Sequence, residues 1–333
     1  MRVNTPTVLS GIELADPELA DRVAAGMVRV EELLEAELAS DFGFITEAAS
    51  HLMHAGGKRI RPLITLVAAG VGPDPASEEI ATAAAVTELI HLATLYHDDV
   101  MDEADLRRGA KTANARWDNS IAILTGDFLF ARASRLVASL GPDAVRIIAE
   151  TFAELVTGQT RETVGPQPGD DPIAHHLTVL NEKTAALIDT CGRYAGMFSG
   201  ATEQDTLALR RFGRAVGVAF QISDDIIDIA SDRSGKTPGT DLREGVATLP
   251  VLYTLADPDA DPRLLSLVAG PITDEAEVAE AVGMLRRSPG LARARQTLDD
   301  YAATARAELG TLAPSGSREA LLTLVDFVVQ RSY

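Results

Sequence analysis

Apolar residues recur every three to four positions along most of the chain, which is the spacing of a buried helix face. This pattern predicts long helices at Val23–Leu38, Ile80–Tyr96, Ser120–Leu140, Ala144–Val156, Leu177–Phe198, Thr206–Ile229 and Ala320–Val329. The segment Ile80–Tyr96 is apolar on nearly every face, which is typical of a helix surrounded by other helices. We therefore expect an all-α fold in the form of a large helical bundle.

Glycine, proline and short polar residues interrupt this pattern at intervals that suit connections between long helices. The interruptions fall at Gly70–Asp74, Gly141–Asp143, Gly165–Pro172, Ser231–Gly245, Asp257–Pro262 and Ala313–Gly316. None has the length or the low complexity of a flexible linker. The sequence thus predicts a single domain over residues 1–333, of which about the first 20 residues are peripheral.

Composition narrows the classes of function. The 30 Lys and Arg residues against 49 Asp and Glu residues give a net charge of −19, which argues against a nucleic-acid partner. Cys191 is the one cysteine, so the chain cannot form an internal disulfide. We find no signal-peptide pattern at Met1–Asp16 and no apolar run of membrane-spanning length. These features predict a cytoplasmic protein without a membrane span.

Two acidic segments with the same spacing follow long apolar helices. We name them the first acidic cluster (Asp98, Asp99 and Asp102) and the second acidic cluster (Asp224, Asp225 and Asp228). Aspartates four positions apart share one helix face and repel each other unless a cation lies between them. Carboxylates of this kind suit Mg²⁺ bridged by a diphosphate. A single such segment could equally be a solvated helix end, but two copies favour metal binding.

Basic and polar residues lie close to these clusters. The segment Gly56–Pro62 places Lys58 and Arg61 on one face after a glycine pair, and Arg107 and Arg108 follow the first acidic cluster. An arginine fork suits phosphate, although a surface pair with Glu103 or Asp105 is an alternative for these arginines. Further polar residues interrupt apolar or glycine-rich stretches at His91, Lys183, Thr184, Gln221 and Lys236.

These segments together resemble the trans-prenyltransferases, the all-trans polyprenyl diphosphate synthases of the isoprenoid synthase fold, and in particular their bacterial medium- and long-chain members. The matching segments are GGKRIRP (Gly56–Pro62), ELIHLATLYHDDVMDEADLRRG (Glu88–Gly109), GDFLFARA (Gly126–Ala133), KTAALI (Lys183–Ile188), FQISDDIIDI (Phe220–Ile229) and GKTPGTDLREGVATLP (Gly235–Pro250). They run in the family's order and cover most of the chain. The resemblance implies a helical bundle around a central cavity.

The resemblance also implies a role for each matching residue. Isopentenyl diphosphate is expected at Lys58, Arg61, His91 and Arg108, and the allylic diphosphate at Arg107, Lys183 and Lys236. Mg²⁺, as three diphosphate-bridged ions, is expected at Asp98, Asp102 and Asp224, with Asp99, Asp225 and Asp228 nearby. Thr184 and Gln221 are expected to face the developing allylic cation. The catalytic set is therefore Asp98, Asp102, Asp224, Lys183, Thr184 and Gln221.

The sequence departs from the family pattern at two places. Val246 stands where the family usually carries a lysine, which puts one contact to the allylic diphosphate in doubt, although Lys236 and Arg243 are close in sequence. The family's Gly-Glu-x-x-Gln pattern is replaced by Gly158-Gln159-Thr160-Arg161-Glu162, with the acid and the amide exchanged.

Three functions compete for this pattern. The first is a Mg²⁺-dependent prenyltransferase that condenses isopentenyl diphosphate with an allylic diphosphate. A class I terpene cyclase shares the first acidic cluster but usually lacks the second, and it does not need an isopentenyl site. A non-catalytic subunit of a heteromeric synthase typically loses both clusters. The sequence favours the prenyltransferase, and the resemblance points to a homodimer.

Product length depends on the residues one turn before the first acidic cluster. Ala93 and Thr94 are small, whereas bulky aromatic residues at these positions give short products in the family. Ile90, Leu136 and Val137 are the next candidates for the floor of the tunnel. We therefore predict a long product of six or more isoprene units (C30 or longer), a quinone side-chain precursor, with geranylgeranyl diphosphate as the alternative.

Overall fold

The computed structural model describes residues 7–9, 12–230 and 238–332, and helices dominate these ranges. In chain order the helices are α1 (Pro17–Leu38), α2 (Gly43–His54), α3 (Ile60–Ala68), α4 (Glu78–Met101), α5 (Ala113–Arg116), α6 (Asn119–Ala138), α7 (Pro142–Val164), α8 (Pro172–Leu180), α9 (Ala186–Ser199), α10 (Glu203–Ala230), α11 (Thr240–Glu244), α12 (Leu249–Leu255), α13 (Pro262–Leu267), α14 (Glu275–Leu285), α15 (Pro289–Gly310) and α16 (Gly316–Gln330). The predicted all-α class is confirmed. Among the described helices, none combines the length and the hydropathy that a bilayer crossing requires.

Two short antiparallel strand pairs accompany the helices. Strand β1 (Thr7–Leu9) pairs with β2 (Ile12–Leu14), and β3 (Leu106–Arg107) pairs with β4 (Ala110–Lys111). The turn between β3 and β4 holds Arg108 at φ 55° and Gly109 at φ 78°. Positive φ at both central residues matches the right-handed twist of a hairpin. The sequence pattern does not reveal either pair, because two or three residues are too few for an alternation to be visible.

Several helices begin at an Asp-Pro pair. Asp16, Asp171 and Asp261 each precede a proline and accept hydrogen bonds from the backbone N–H groups of the first turn of α1, α8 and α13. An aspartate at this position satisfies N–H groups that lack a helical partner, and proline fits the first helical position because its missing N–H is not needed there. The local sequence thus fixes where these helices start.

One predicted helix is interrupted. In place of a continuous helix over Leu177–Phe198, the structure has α8, a π-helical turn at Asn181–Ala185 and then α9. Single π turns inside helices are rare overall, and those that occur are often found at functional sites. This turn carries Lys183 and Thr184, which are predicted to bind the allylic diphosphate and to face the allylic cation, respectively.

The described residues group into two compact units. Unit 1 comprises Met1–Ala153, Leu187–Arg210 and Thr311–Leu321, and unit 2 comprises Glu154–Ala186, Arg211–Gly310 and Leu322–Tyr333. The single domain over residues 1–333 stays a prediction.

Unit 1 is built around α4. This helix packs against α1, α3, α5 and α6, and its residues from Ala83 to Val86 have no exposed surface. The helix is buried on nearly all faces, as its apolar pattern predicts. Its last turn nevertheless carries the first acidic cluster, so unit 1 places carboxylates at the end of a largely buried helix.

Unit 2 has a separate apolar core. Helix α12 packs against α15 and α8, and α13 packs against α14. The core cluster of this unit consists of Ile229, Leu242, Val251, Leu264, Leu267, Val268, Ile272, Val278, Ala281, Val282 and Leu285. Ile229 joins this cluster directly after Asp228, so the core fixes the end of α10 where the second acidic cluster lies.

Helices α9 and α10 approach each other closely within unit 1, and this contact yields a stability prediction. A Cβ atom at Gly192 of α9 would lie 2.4 Å from the backbone oxygen of Leu209 in α10. Because a backbone atom cannot move aside easily, we expect Gly192→Ala to reduce the free energy of unfolding by about 1–3 kcal/mol.

Gly283→Ala is the matched control, because Gly283 lies inside α14 and no atom lies within 4 Å of its added Cβ. Alanine favours the helix by up to about 1 kcal/mol, so this variant should be unchanged or more stable. Urea unfolding of both variants provides the measurement. Equal stabilities for the two variants would contradict the close approach of α9 and α10.

Candidate active site

The glycine pair before α3 lets two arginines converge. Gly57 has φ +147°, and a Cβ atom there would lie 2.8 Å from a guanidinium nitrogen of both Arg59 and Arg108. Arg59 also adopts a left-handed backbone, at φ 47°, directly before α3 begins. A side chain at position 57 would displace both guanidinium groups. The Gly-Gly-Lys-Arg segment therefore serves to pack cations closely.

Arg61 points into the interior of unit 1 from the first turn of α3. Burial lowers the pKa of Arg61, and attraction to Glu88 opposes this effect. Its Nε atom is buried and has no hydrogen-bond partner among the described residues. A buried donor without a partner is costly, so Arg61 has capacity to bind an anion. Lys58, also predicted to bind diphosphate, lies in the segment directly before α3.

The β3–β4 hairpin carries the arginine pair. Arg108 lies in its turn, and the Nη1 atom of Arg108 donates to the backbone oxygens of Leu52 (3.3 Å) and Gly56. Arg107 donates from Nε to Oδ1 of Asp99. Arg108 thus attaches the hairpin to the end of α2 and the glycine pair that follows it, and Arg107 attaches the hairpin to the first acidic cluster.

The first acidic cluster divides into two kinds of carboxylate. Asp98 is partly exposed and Asp102 is exposed, whereas Asp99 has no exposed surface. Burial raises the pKa of Asp99, and its hydrogen bond with Arg107 opposes that rise. Its second oxygen, Oδ2, has no hydrogen-bond partner among the described residues. Asp99 therefore anchors Arg107, while Asp98 and Asp102 are the accessible oxygen donors.

His91 lies on α4 beside the same arginines. Burial lowers the pKa of His91 well below its usual value, and the positive charges of Arg61, Arg108, Arg107 and Arg59 lower it further. The imidazole is therefore neutral at pH 7 and can donate one hydrogen bond without adding charge. This property suits a residue that binds diphosphate among several arginines.

The second acidic cluster is held by partners within unit 2. Arg331 Nη2 lies 2.8 Å from Oδ1 of Asp224. His176 Nε2 lies 3.0 Å from Oδ2 of the buried Asp225. The carboxylate of Asp228 accepts from the backbone N–H groups at the start of α11, at 3.1 and 3.3 Å. Sequence reasoning misses Arg331 and His176, because nothing in their own segments marks them as partners of aspartates distant in the chain.

The π turn is fixed by ion pairs of unit 2. Lys183 pairs with Glu162, and Arg161 donates two hydrogen bonds to Glu182, at 2.9 and 3.2 Å. Glu162 is the acid of the exchanged Gly-Gln-x-x-Glu pattern. The exchange therefore supplies the carboxylate that binds Lys183.

Thr184 and Gln221 are also brought together in unit 2. The hydroxyl of Thr184 donates to Oε1 of Gln221 at 3.4 Å. This contact leaves the Gln221 amide N–H₂ group for other partners. The structure thus brings the two side chains together, and their role toward the allylic cation stays a prediction.

The Gly- and Pro-rich stretch and the residues after it contain the remaining positions considered for contact with the allylic diphosphate. Lys236 lies outside the described residues. Val246, where the family has a lysine, is 46% exposed, and Arg243 forms a bidentate pair with Glu275 at 2.8 and 2.7 Å. Arg243 therefore already has a carboxylate partner and is not a ready substitute for the missing lysine.

The predicted chain-length residues lie on two helices that pack together, α4 and α6. Ile90 and Ala93 have no exposed surface and Val137 is 1% exposed, whereas Thr94 and Leu136 are partly buried. The Thr94 hydroxyl donates to the backbone oxygen of His91 at 2.9 Å. A small residue at position 93 therefore faces packed protein, where added volume has a large effect.

Glu88 is a further residue that sequence reasoning leaves without a role. It is 2% exposed and lies within 3.4 Å of Arg59. A signal for it exists in the sequence, because Glu88 is the one carboxylate within the apolar segment Ile80–Tyr96.

The oxygen donors of both acidic clusters suit a hard divalent cation. Within the described residues, no three His, Cys, Asp or Glu side chains are grouped closely enough to hold a metal ion by themselves. Mg²⁺ typically uses one or two carboxylates together with water and substrate phosphate oxygens. The accessible carboxylates Asp98 and Asp102 fit this mode, with the remaining ligands coming from a diphosphate.

The chain is similar in sequence and fold to several known prenyl diphosphate synthases. The family profile described as Polyprenyl synthetase matches residues 43–285. A nonaprenyl diphosphate synthase of Mycobacterium tuberculosis is 55% identical, with 99% of each chain covered.

Solved structures agree with the sequence matches. A geranylgeranyl pyrophosphate synthase of Corynebacterium glutamicum, complexed with calcium and isoprenyl diphosphate, is 50% identical with a TM-score of 0.87, over 96% of this chain and 99% of the other. A decaprenyl diphosphate synthase of Rhodobacter capsulatus is 33% identical with a TM-score of 0.87, over 95% and 99%. The predicted isoprenoid synthase fold is confirmed.

The neutral His91 predicts a pH dependence of stability. The pKa of this histidine is depressed in the folded protein, so the unfolded chain, with a pKa near 6.5, takes up a proton that the folded protein does not. Stability should therefore fall as the pH drops below about 6.5, with a contribution from this residue of up to about 1.4 kcal/mol per pH unit.

Urea unfolding of wild type and His91→Gln between pH 7 and pH 5 measures this effect. The variant should lose less stability over the range than wild type. The control is His54→Gln, because His54 is an exposed residue that pairs with Glu35. A His91→Gln curve parallel to that of wild type would show that His91 is not kept neutral by the fold.

Proposed function

Because this chain belongs to the polyprenyl synthetase family, we propose that it is a Mg²⁺-dependent all-trans polyprenyl diphosphate synthase. The enzyme transfers an allylic prenyl group to isopentenyl diphosphate. One observation of the structure carries this proposal, namely the contact between Arg107 and the buried Asp99. It attaches a hairpin with two arginines to the carboxylates of the first acidic cluster, and this combination binds a diphosphate together with its metal ions.

Each substrate has its own group of cations. Isopentenyl diphosphate binds to Lys58, Arg61, His91 and Arg108, which lie in unit 1 around the converging guanidinium groups. The allylic diphosphate binds to Arg107, Lys183 and Lys236. Lys183 exchanges its present partner Glu162 for the diphosphate.

Asp98, Asp102 and Asp224 would hold three Mg²⁺ ions, with Asp99, Asp225 and Asp228 nearby as supporting carboxylates. When bound, the ions would supply positive charge to the leaving diphosphate. Asp225 and Asp228 act through the groups that they already bind, since His176 holds the first and the start of α11 holds the second.

The chemistry needs no side-chain nucleophile. The allylic carbon–oxygen bond breaks, and its electron pair stays on the leaving diphosphate, which Arg107 and Lys183 stabilise. The oxygen dipoles of Thr184 and Gln221 face the delocalised allylic cation. The double bond of isopentenyl diphosphate attacks that cation to form the new carbon–carbon bond, and the released diphosphate accepts the proton that is lost.

The product is a long chain of six or more isoprene units, suited to a quinone side chain. Ala93 and the neighbouring Ile90 and Val137 support this proposal, because the buried wall between α4 and α6 contains no aromatic side chain at these positions. The relative of 55% identity is named as a nonaprenyl diphosphate synthase. Geranylgeranyl diphosphate is the second candidate, because a solved relative of 50% identity is named for that product.

The two alternative functions, a terpene cyclase and a non-catalytic subunit, have less support. A terpene cyclase has no need for a second diphosphate site, yet Arg61, His91 and Arg108 converge in unit 1. A non-catalytic subunit has no need for the acidic clusters, and both are present here.

We further propose a homodimer in the cytoplasm. Ile123 and Leu124 on α6 are 43% and 62% exposed, and a second copy of the chain is the occupant that would cover them. The single cysteine, Cys191, is free and buried, which suits a reducing compartment.

The metal sites predict the effect of two conservative substitutions. Asp98→Asn and Asp224→Asn each remove a charged oxygen ligand while keeping the shape of the side chain. We expect kcat for prenyl transfer to fall on the order of 10²-fold or more, because the charge developing on the diphosphate loses its stabilisation. Incorporation of labelled isopentenyl diphosphate at saturating Mg²⁺ measures the rate, and excess chelator should stop the wild-type reaction.

Asp143→Asn serves as the control, since Asp143 is an exposed residue of α7 paired with Arg146. Its rate should match that of wild type. Wild-type rates in both cluster variants would exclude a two-cluster metal site. Circular dichroism and thermal unfolding confirm that each variant is folded, which matters for Asp224→Asn because Arg331 then loses a charged partner.

The buried position of Ala93 predicts control over product length. Ala93→Phe adds a ring between α4 and α6, so elongation should stop earlier and the products should become shorter while activity is retained. The added volume also costs about 1–3 kcal/mol of stability. Chromatographic sizing of the products from several allylic primers is the measurement.

Ala138→Phe is the control, because Ala138 lies on α6 but is exposed. Its product distribution should equal that of wild type. The proposal that a small residue at position 93 permits a long product fails if wild-type enzyme stops at farnesyl diphosphate. It also fails if Ala93→Phe leaves the product distribution unchanged.

A further inference from the structure

Glu88 is a buried carboxylate inside α4. It is 2% exposed and precedes His91 by three residues, so the two side chains share one face of the helix. None of the catalytic or binding roles proposed above uses this residue. An ionised carboxylate at this depth is stable only if cations surround it.

Arginines supply these cations. Arg59 Nη1 lies 3.4 Å from Oε1 of Glu88. Burial raises the pKa of Glu88, and attraction to Arg61, Arg59 and Arg108 opposes that rise. Glu88 thus attracts Arg61 and Arg108, two residues of the proposed isopentenyl diphosphate site, and it directly contacts Arg59.

Arg59 is fully engaged with the protein. Its Nε donates to Glu31 at 2.8 Å and its Nη2 donates to the backbone oxygen of Met53 at 3.3 Å, in addition to the contact with Glu88. The Arg59 side chain is 9% exposed. Arg59 is therefore a structural cation, whereas its sequence neighbours Lys58 and Arg61 are the ones proposed to meet the substrate.

The cations repel one another when no diphosphate is bound. Guanidinium nitrogens of Arg59 and Arg108 both lie 2.8 Å from the position that a Cβ of Gly57 would take. Burial lowers the pKa of Arg108, and the neighbouring Arg59, Arg107 and Arg61 lower it further, while Glu88 raises it. Glu88 is thus the carboxylate that attracts Arg59, Arg61 and Arg108 in common.

We propose that Glu88 is a positioning residue for isopentenyl diphosphate: through Arg59 it supplies the internal negative charge that holds Arg61 and Arg108 in place before the substrate binds. This inference rests on the proposed function, because it assigns Arg61 and Arg108 to that substrate. Glu88 itself does not touch the diphosphate.

Removing the charge of Glu88 has two opposite effects on KM for isopentenyl diphosphate. Without Glu88 the remaining cations attract a diphosphate more strongly, which lowers KM for isopentenyl diphosphate. Without Glu88, however, Arg59 is buried with a missing partner and the cluster spreads, which raises KM. Loss of one partner of a buried pair generally outweighs the change in longer-range attraction, so the rise should dominate.

The test is steady-state kinetics of the full chain, with isopentenyl diphosphate and an allylic primer varied separately at saturating Mg²⁺. Glu88→Gln keeps the shape and removes the charge. We expect KM for isopentenyl diphosphate to rise about tenfold or more, since breaking a buried charge pair changes an equilibrium constant by at least that factor. The KM for the primer and kcat should stay within roughly threefold, which is the pattern of lost substrate binding.

Glu31→Gln is the matched control. Glu31 binds the same guanidinium group, but its side chain is 41% exposed, so its removal should change KM for isopentenyl diphosphate by less than about twofold. Glu88→Asp keeps the charge at a shorter reach, and its KM should lie between those of wild type and Glu88→Gln.

An unchanged or lowered KM for isopentenyl diphosphate in Glu88→Gln overturns the inference, as does an equal loss of kcat/KM for both substrates. If Glu88→Gln does not fold by circular dichroism, Glu88→Asp decides, because a selective rise of the same KM supports the inference and an unchanged KM overturns it. A wild-type protein that does not consume isopentenyl diphosphate overturns the proposed function as well. If the wild type is active and Glu88→Gln has the wild-type KM for isopentenyl diphosphate, only this inference is overturned and the proposed function stands.

Discussion

Crowding of like charges is the constraint on which both units depend. Residues that would bind a diphosphate or a metal ion repel one another in its absence, and several of them are buried. The protein meets this with internal partners: Arg107 pairs with Asp99, Lys183 with Glu162 and Arg331 with Asp224. A buried charge without a partner costs several kcal/mol, so the pair of Arg107 with the fully buried Asp99 also supports the fold of unit 1.

Under the proposed function, binding of ligands would be an exchange of partners. A diphosphate at Lys183 would compete with Glu162, and a metal ion at Asp224 would compete with Arg331. The net free energy of binding is the difference between the two pairings, which keeps substrate and product affinity moderate. For an enzyme that must release diphosphate after every elongation step, a moderate affinity is an advantage.

The sequence predicts those features of this protein that are encoded by a local pattern. Helices such as α4 and α10 show a clear period of apolar residues, and the two acidic clusters are visible because each motif lies within a few positions. Helices α2, α3 and α12–α15 were not predicted, since they are shorter or mix alanine with charged residues. The partners of the acidic clusters could not be predicted either. Arg331 and His176 meet their aspartates only through tertiary packing, and no local pattern encodes that distance.

The π turn at Asn181–Ala185 has a consequence for helical register. A π turn adds one residue to a helical path, and one residue corresponds to a rotation of about 100° around the axis. Within unit 2, Val179 before the turn and Ala186 after it are both buried, and the chain passes between them without a loop. Lys183 and Thr184 lie within the added turn, so their direction is set independently of those two buried residues. Loss of one residue from this turn would move the next residue, the buried Ala186 of unit 2, by about 100° around the helix axis, so a different side chain would occupy that buried position.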